Sequence, residues 1–242
     1  MASSADRDVI EIWRIDLDAA ALPVDVLWQD LSLAAVGLPV AGERWRRTAH
    51  QSLRLVIGRH IGFDAAMAGF VIGPGGKPEL PGHAIDFSLA HCGPLALVAV
   101  SRCGPVGVDV EAARAFELSD ARRAVLETAA IEVADGCDLA AIEGDARTLQ
   151  AWVRLEAVAK ASGEGIGSLL ERLDVRPGRA RPGTPATGTP PVAIAIDVIA
   201  GEGHVAAVAG YRHSLSELLQ ARVRSFPADT AAILAAFGRS VR

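Results

Sequence analysis

The tightest constraint on the fold lies between residues 85 and 110, where three short apolar runs follow one another in quick succession. Ile85 to Leu89, Leu95 to Val100 and Val106 to Val110 each have the length of a strand, and Gly93-Pro94 and Gly104-Pro105 supply the turns between them. Leu95 to Val100 is apolar throughout, so this strand is expected to be buried on both faces.

The flanking segments alternate between strand and helix character. Residues 8–17 read as a strand. From Glu43 to Ile61 the spacing of Trp45, Leu53, Val56, Ile57 and Ile61 fits an amphipathic helix, with Gly58 and Gly62 bracketing its end. Residues 70–80 begin as a short apolar strand and enter a glycine-rich turn before Lys77-Pro78. Beyond Glu111 the pattern becomes helical. Ser119 and Asp120 cap a stretch through Ala134, and Thr148 to Ala161 forms a second helix that stops at Gly163. Leu169 to Val175, Val192 to Ile199 and His204 to Tyr211 read as strands, with a helical tail from Ser214. Residues 177–191, crowded with proline, glycine and threonine, read as a long flexible connection. The order implies an α+β protein of two similar-sized α+β halves, residues 1–104 and 105–242.

Charge and cysteine content narrow the function classes. A net charge of −5 argues against a nucleic-acid partner, which calls for a basic surplus. Cys92, Cys103 and Cys137 show no ligand spacing, so reduced thiols in a cytoplasmic protein are expected. The first residues, acidic and without an apolar core, do not read as a secretory signal, and no membrane span is expected because no apolar run is long enough. Of the 24 basic residues only Lys77 and Lys160 are lysines. Those two positions ask what a compact ammonium does that a planar guanidinium cannot.

Four short segments carry chemistry. In Gly107-Val108-Asp109-Val110-Glu111, the two acidic side chains project to one face of a strand, roughly 6.6 Å apart along the chain. Such a pair suits a hard divalent cation, although a solvated strand face also carries D-x-E. In the helix Trp152 to Lys160, Trp152, Glu156 and Lys160 form one stripe at i, i+4 and i+8; the bland alternative is a surface ion pair beside a half-buried tryptophan. The glycines of Ala161-Ser162-Gly163-Glu164-Gly165 stop that helix and permit close backbone approach. His91 ends the strand Asp86-Phe87-Ser88-Leu89-Ala90-His91, where a polar terminator is the usual reading. Gly75-Gly76-Lys77-Pro78 exposes amides and an ammonium suited to an anion, without the full nucleoside-triphosphate loop.

The order and spacing of GKP, FSLAH, GVDVE and WVRLEAVAKASGEG resemble the 4′-phosphopantetheinyl transferases of the surfactin-synthetase type. That family shows G-K-P, F-N-x-S-H, G-[IV]-D-[IV]-E and W-x-x-K-E-A-x-x-K-x-x-G-x-G in this order. The resemblance runs from about Arg54 to Ile166, and both lysines fall on lysine positions of the family. It implies halves related by a pseudo-twofold axis, with the active site in the cleft between them. It implies Mg²⁺ held by Asp109, Glu111 and Glu156. Coenzyme A would be the co-substrate, its phosphates held by Arg54, Lys77, His91 and Lys160. Glu156 and Lys160 would be catalytic, the partner an apo acyl, polyketide or peptidyl carrier protein, and the enzyme a monomer.

Departures from the pattern keep alternatives open. Leu155 stands where the family has lysine, Ser88 and Ala90 replace the usual Asn and Ser, and Cys92 replaces a frequent serine. A carrier-binding module impaired in catalysis is the competing expectation. A different metal-dependent phosphotransferase is a third.

Overall fold

The computed structural model describes residues 10–22, 40–73, 75–135, 138–173 and 193–237; the proline- and glycine-rich connection over 177–191 lies outside them. Strand β1 (Ile10–Asp16) is followed by helix α1 (Val40–Ile61), the single turn α2 (Phe63–Ala66) and a small hairpin of β2 (Val71–Ile72) and β3 (Pro78–Glu79). Three strands come next, β4 (Asp86–Cys92), β5 (Leu95–Ser101) and β6 (Val106–Ala112), as the glycine–proline punctuation requires. Helices α3 (Asp120–Glu132), α4 (Gly144–Ser162) and α5 (Ile166–Arg172) lead to β7 (Ile194–Asp197) and β8 (His204–Gly210). Helix α6 (Leu215–Gln220), β9 (Val223–Ser225) and α7 (Thr230–Phe237) complete the fold. Among the described residues no helix is long and apolar enough to cross a membrane.

The class is α+β. One sheet has the order β4-β5-β1-β9 and a second has β6-β8-β7. Pairing in β4-β5-β1 and throughout β6-β8-β7 is antiparallel. Each follows the same rule: the strand before the helices, β1 or β6, pairs with the second member of a later antiparallel strand pair of its own sheet, β4–β5 or β7–β8.

Side-chain alternation then builds three apolar layers. Ile10, Ile12, Leu95, Leu97 and Ala99 of the first sheet meet Val106, Val108, Val110, Ala206 and Val208 of the second in one core. The opposite face of the first sheet packs on α1 and α7. The opposite face of the second packs on α3 and α4. β5 is buried at every residue, as a strand covered on both faces must be.

Two expectations give way. The strand expected from Leu169 to Val175 does not form over Leu169–Leu173, and Asp174 and Val175 lie outside the described residues; α5 takes up its beginning, because Ile166, Leu169, Leu170 and Leu173 recur at i, i+3, i+4 and i+7, and all four pack on the α4 core. The tail after Ser214 is not purely helical. β9 interrupts it and pairs in parallel with β1, returning the end of the chain to the first sheet, where Phe226 and Phe237 pack edge-on against Trp13.

Candidate functional site

Helix α4 is buried from Thr148 to Ala161 except at Trp152, Glu156 and Lys160. The i, i+4, i+8 stripe is therefore the open line of an otherwise interior helix, not one face of a solvated one. Two features fix the helix in place. Arg154, fully buried, donates from Nε and an Nη to the two oxygens of Asp197 at 2.7 Å each, pinning α4 to β7. On the neighbouring strand, a Cβ at Gly107 would collide with the Ala157 carbonyl oxygen and the Ala161 amide, so the glycine lets β6 lie flush on α4. Leu155 faces the core and is fully buried, away from the open stripe.

That close seating carries the next residue of the motif to α4. Asp109 Oδ1 accepts a hydrogen bond from Lys160 Nζ at 2.6 Å, and the same ammonium reaches the Val108 carbonyl at 3.3 Å. Burial pushes the Asp109 carboxyl up to about 6; Lys160 opposes the shift, and the charges of Glu156 and Glu111 add to it. Glu111 ion-pairs with Arg114 at 3.6 Å, and Cys92 Sγ lies 3.7 Å from its Oε2. The three acidic residues thus share one electrostatic neighbourhood. Among the described residues, no three of His, Cys, Asp or Glu are gathered into a ready metal cage. The donor set is nonetheless the one magnesium takes: hard carboxylate oxygens, few in number, leaving room for phosphate.

β4 and β6 are edges of different sheets, joined through side chains. Asp86 Oδ1, Ser88 Oγ and Cys92 Sγ accept from the amides of Val106, Val108 and Ala112 at 2.9, 3.1 and 3.3 Å. Each rung links residues twenty apart, and alternation explains why positions 86, 88 and 92 face the same edge. At position 90 the corresponding side chain is alanine, which offers no acceptor. Lys77 locks the end of this ladder: its ammonium donates to Asp86 and to the Val106 carbonyl, the latter at 2.9 Å. Burial raises the Asp86 pKa, an effect the Lys77 charge counters. Both lysines therefore do the same local work. Each bridges a carboxylate and a β6 carbonyl through the three donors of one compact ammonium.

A cavity of about 650 Å³ opens beside this junction, walled by α1, the 69–78 segment, β4 and the end of α4. Lys160, Lys77, Arg54 and His91 all line it; Asp109, Glu111 and Glu156 do not. The glycine-rich turn closes on α4 as the helix-stop glycines anticipate. Gly163 ends α4 in the left-handed region at φ 70°, and a Cβ on Gly75 would collide with its carbonyl oxygen. Arg54 is buried, donates to the Ala66 and Ala68 carbonyls at 2.6 and 2.5 Å, and stacks 3.5 Å over the Phe70 ring. It builds the wall as well as charging it. His91 is exposed at the rim; partial enclosure, then the charges of Lys160 and Arg46, hold its imidazole below the usual histidine range.

Sequence reasoning missed His50, Phe70 and Glu164, which also line the cavity. The signal for His50 was present, since Arg46, His50 and Arg54 repeat at i, i+4 and i+8 on α1. Glu164 is fixed by Arg172 and by Ser162 Oγ at 2.8 Å, partners that no spacing rule picks out.

No protein-family model matches the chain. Over 150 residues it is 32% identical to a protein of Synechocystis sp. provisionally named a 4′-phosphopantetheinyl transferase; the match covers 54% of this chain and 58% of that protein. The chain thus spans a little over half the length of the curated relative it matches. That similarity reaches the 4′-phosphopantetheinyl transferases at large and does not distinguish the surfactin-synthetase type.

Proposed function

We propose that this chain transfers the 4′-phosphopantetheine group of coenzyme A to a serine of an apo carrier protein, acyl, polyketide or peptidyl, as the surfactin-synthetase-type enzymes do. The observation that carries the reading is the double position of Lys160, which lines the cavity while bonding Asp109. A substrate anion in the cavity and a cation on the carboxylates would then be neighbours. The 32% identity to a named transferase supports the same reading. The repeated pairing rule of the two sheets supports an ancestral pair of α+β halves about a pseudo-twofold axis, with the site between them.

In this reading the cavity holds coenzyme A. His91 and Lys160 contact its phosphates, while Arg54 and Lys77, committed to internal partners, shape the wall and contribute positive potential. Asp109, Glu111 and Glu156 would hold Mg²⁺, which when bound neutralises charge on the pyrophosphate oxygens. The serine oxygen attacks the β-phosphorus, the bond from that phosphorus to the bridging pyrophosphate oxygen breaks, and 3′,5′-ADP leaves. Glu156, half-buried on the open line of α4, accepts the serine proton. Lys160 stabilises the leaving phosphate as its charge grows. Little covalent work falls to the protein; positioning and charge neutralisation dominate.

The test is incubation with coenzyme A, Mg²⁺ and a panel of apo carriers, read by intact mass. The expected result is a gain of one phosphopantetheine group on at least one carrier, lost in Glu156→Ala. A panel that stays unmodified while the protein binds carrier and ignores coenzyme A would favour the impaired carrier-binding module instead.

A further inference from the structure

We infer that Lys160 is a displaceable counter-ion: its ammonium and a divalent cation compete for the Asp109 carboxylate, and the displaced ammonium serves the anion in the adjoining cavity. The inference rests on the proposed role of Asp109 as a cation ligand and goes beyond it by giving Lys160 two alternating partners.

The two lysines differ in the respect that matters. The Lys77 side chain is 12% exposed and lies between Asp86 and the Val106 carbonyl, inside the seam between sheets. The Lys160 side chain is 31% exposed, while its partner Asp109 is only 10% exposed. The carboxylate is fixed in a strand and the ammonium ends a flexible four-carbon stem already lying along the cavity wall. A dication reaching Asp109 would meet an ammonium 2.6 Å from Oδ1, and like charges at such separations repel strongly at the low effective dielectric of a half-buried site. The ammonium is the mobile member, so it yields. The direction of its retreat is set by the fold: β6 and the core close one side, and the cavity opens on the other.

One consequence is a built-in order. Cation binding frees the lysine, and the freed lysine raises affinity for the phosphate-bearing substrate, so each ligand strengthens the other. A second consequence is that removing the lysine should improve cation binding by the protein alone, which a simple supporting role for Lys160 would not produce.

The experiment measures Mn²⁺ binding by electron paramagnetic resonance, on the full chain without coenzyme A or carrier. Lys160→Met should bind Mn²⁺ roughly tenfold tighter than wild type, the scale of one lost charge-assisted competitor, and Asp109→Asn should abolish binding in both backgrounds. In parallel, wild-type protein carrying isotope-labelled lysine gives two side-chain signals, and Mg²⁺ should shift that of Lys160 while leaving Lys77 in place. Equal or weaker Mn²⁺ affinity in Lys160→Met overturns the competition, as does an unshifted Lys160 signal at saturating Mg²⁺ or a failure of either protein to bind. Carrier labelling by wild type decides the transferase reading separately, so success there with equal Mn²⁺ affinities would sink only the competition.

Discussion

The junction between the sheets contains two nodes of the same composition and opposite character. Lys77 joins Asp86 to the Val106 carbonyl, and Lys160 joins Asp109 to the Val108 carbonyl. In the first node the lysine is the more enclosed partner; in the second the carboxylate is. Around Asp86 the neighbouring groups close a seam. Around Asp109, burial above all lifts the carboxyl to about 6; Lys160 opposes the shift, and the charges of Glu156 and Glu111 add to it. An ammonium enclosed in the seam is architecture, whereas a buried acid whose ammonium is the more exposed partner, beside an open cavity, is a place for chemistry.

Variants at each node break or sharpen this contrast. The largest effect belongs to Asp109→Asn, which should lower carrier labelling between about a hundredfold and a thousandfold. The same change should leave the protein as stable or more stable at pH 8. The folded pKa lies above the ordinary aspartate range, so the carboxyl favours folding below about pH 4, and that contribution is lost as pH rises through about 6. Removing it relieves a cost on the order of 1–3 kcal/mol at pH 8, and little at pH 4. Thermal melts of both proteins at the two pH values check the sign, and a variant that melts lower only at pH 8 would refute it.

Next in size is the crossed comparison of the lysines. Lys77→Met strands Asp86 in the seam and should cost about 3 kcal/mol in a urea melt. Lys160→Met should change stability by less than about 1 kcal/mol, its pair being part-exposed, while lowering labelling more than any stability loss explains. Equal destabilisation by the two would erase the distinction between the nodes. The smallest effects test the seam itself. Ser88→Ala removes an acceptor from the buried Val108 amide and should cost about 1–2 kcal/mol; Ala90→Ser supplies the absent rung and should gain about 0.5–1 kcal/mol in the same urea assay.

Much of this site is legible in the residue pattern alone. Glycine–proline turns marked β4, β5 and β6 because they act locally. The stripe of Trp152, Glu156 and Lys160 was legible because helical periodicity places those residues together whatever surrounds them. The role of Gly107 was not, since nothing in its neighbours reports that α4 lies against it. Arg54 and Lys77 read as ligands for an anion, yet both hold internal partners, Ala66 and Ala68 for one and Asp86 for the other. A cation's residue type announces its charge and not whom it already satisfies. β9 escaped notice because Val223, Arg224 and Ser225 form a short polar strand whose partner, β1, lies at the other end of the chain.

The most direct test of the whole account is calorimetric titration of coenzyme A into the wild-type protein, with Mg²⁺ and then with a chelator. Because cavity and carboxylates meet at Lys160, Mg²⁺ should tighten coenzyme A binding at least about tenfold, a coupling of ordinary size for linked sites. The same affinity with and without the cation would show that the acidic junction and the cavity are not one site.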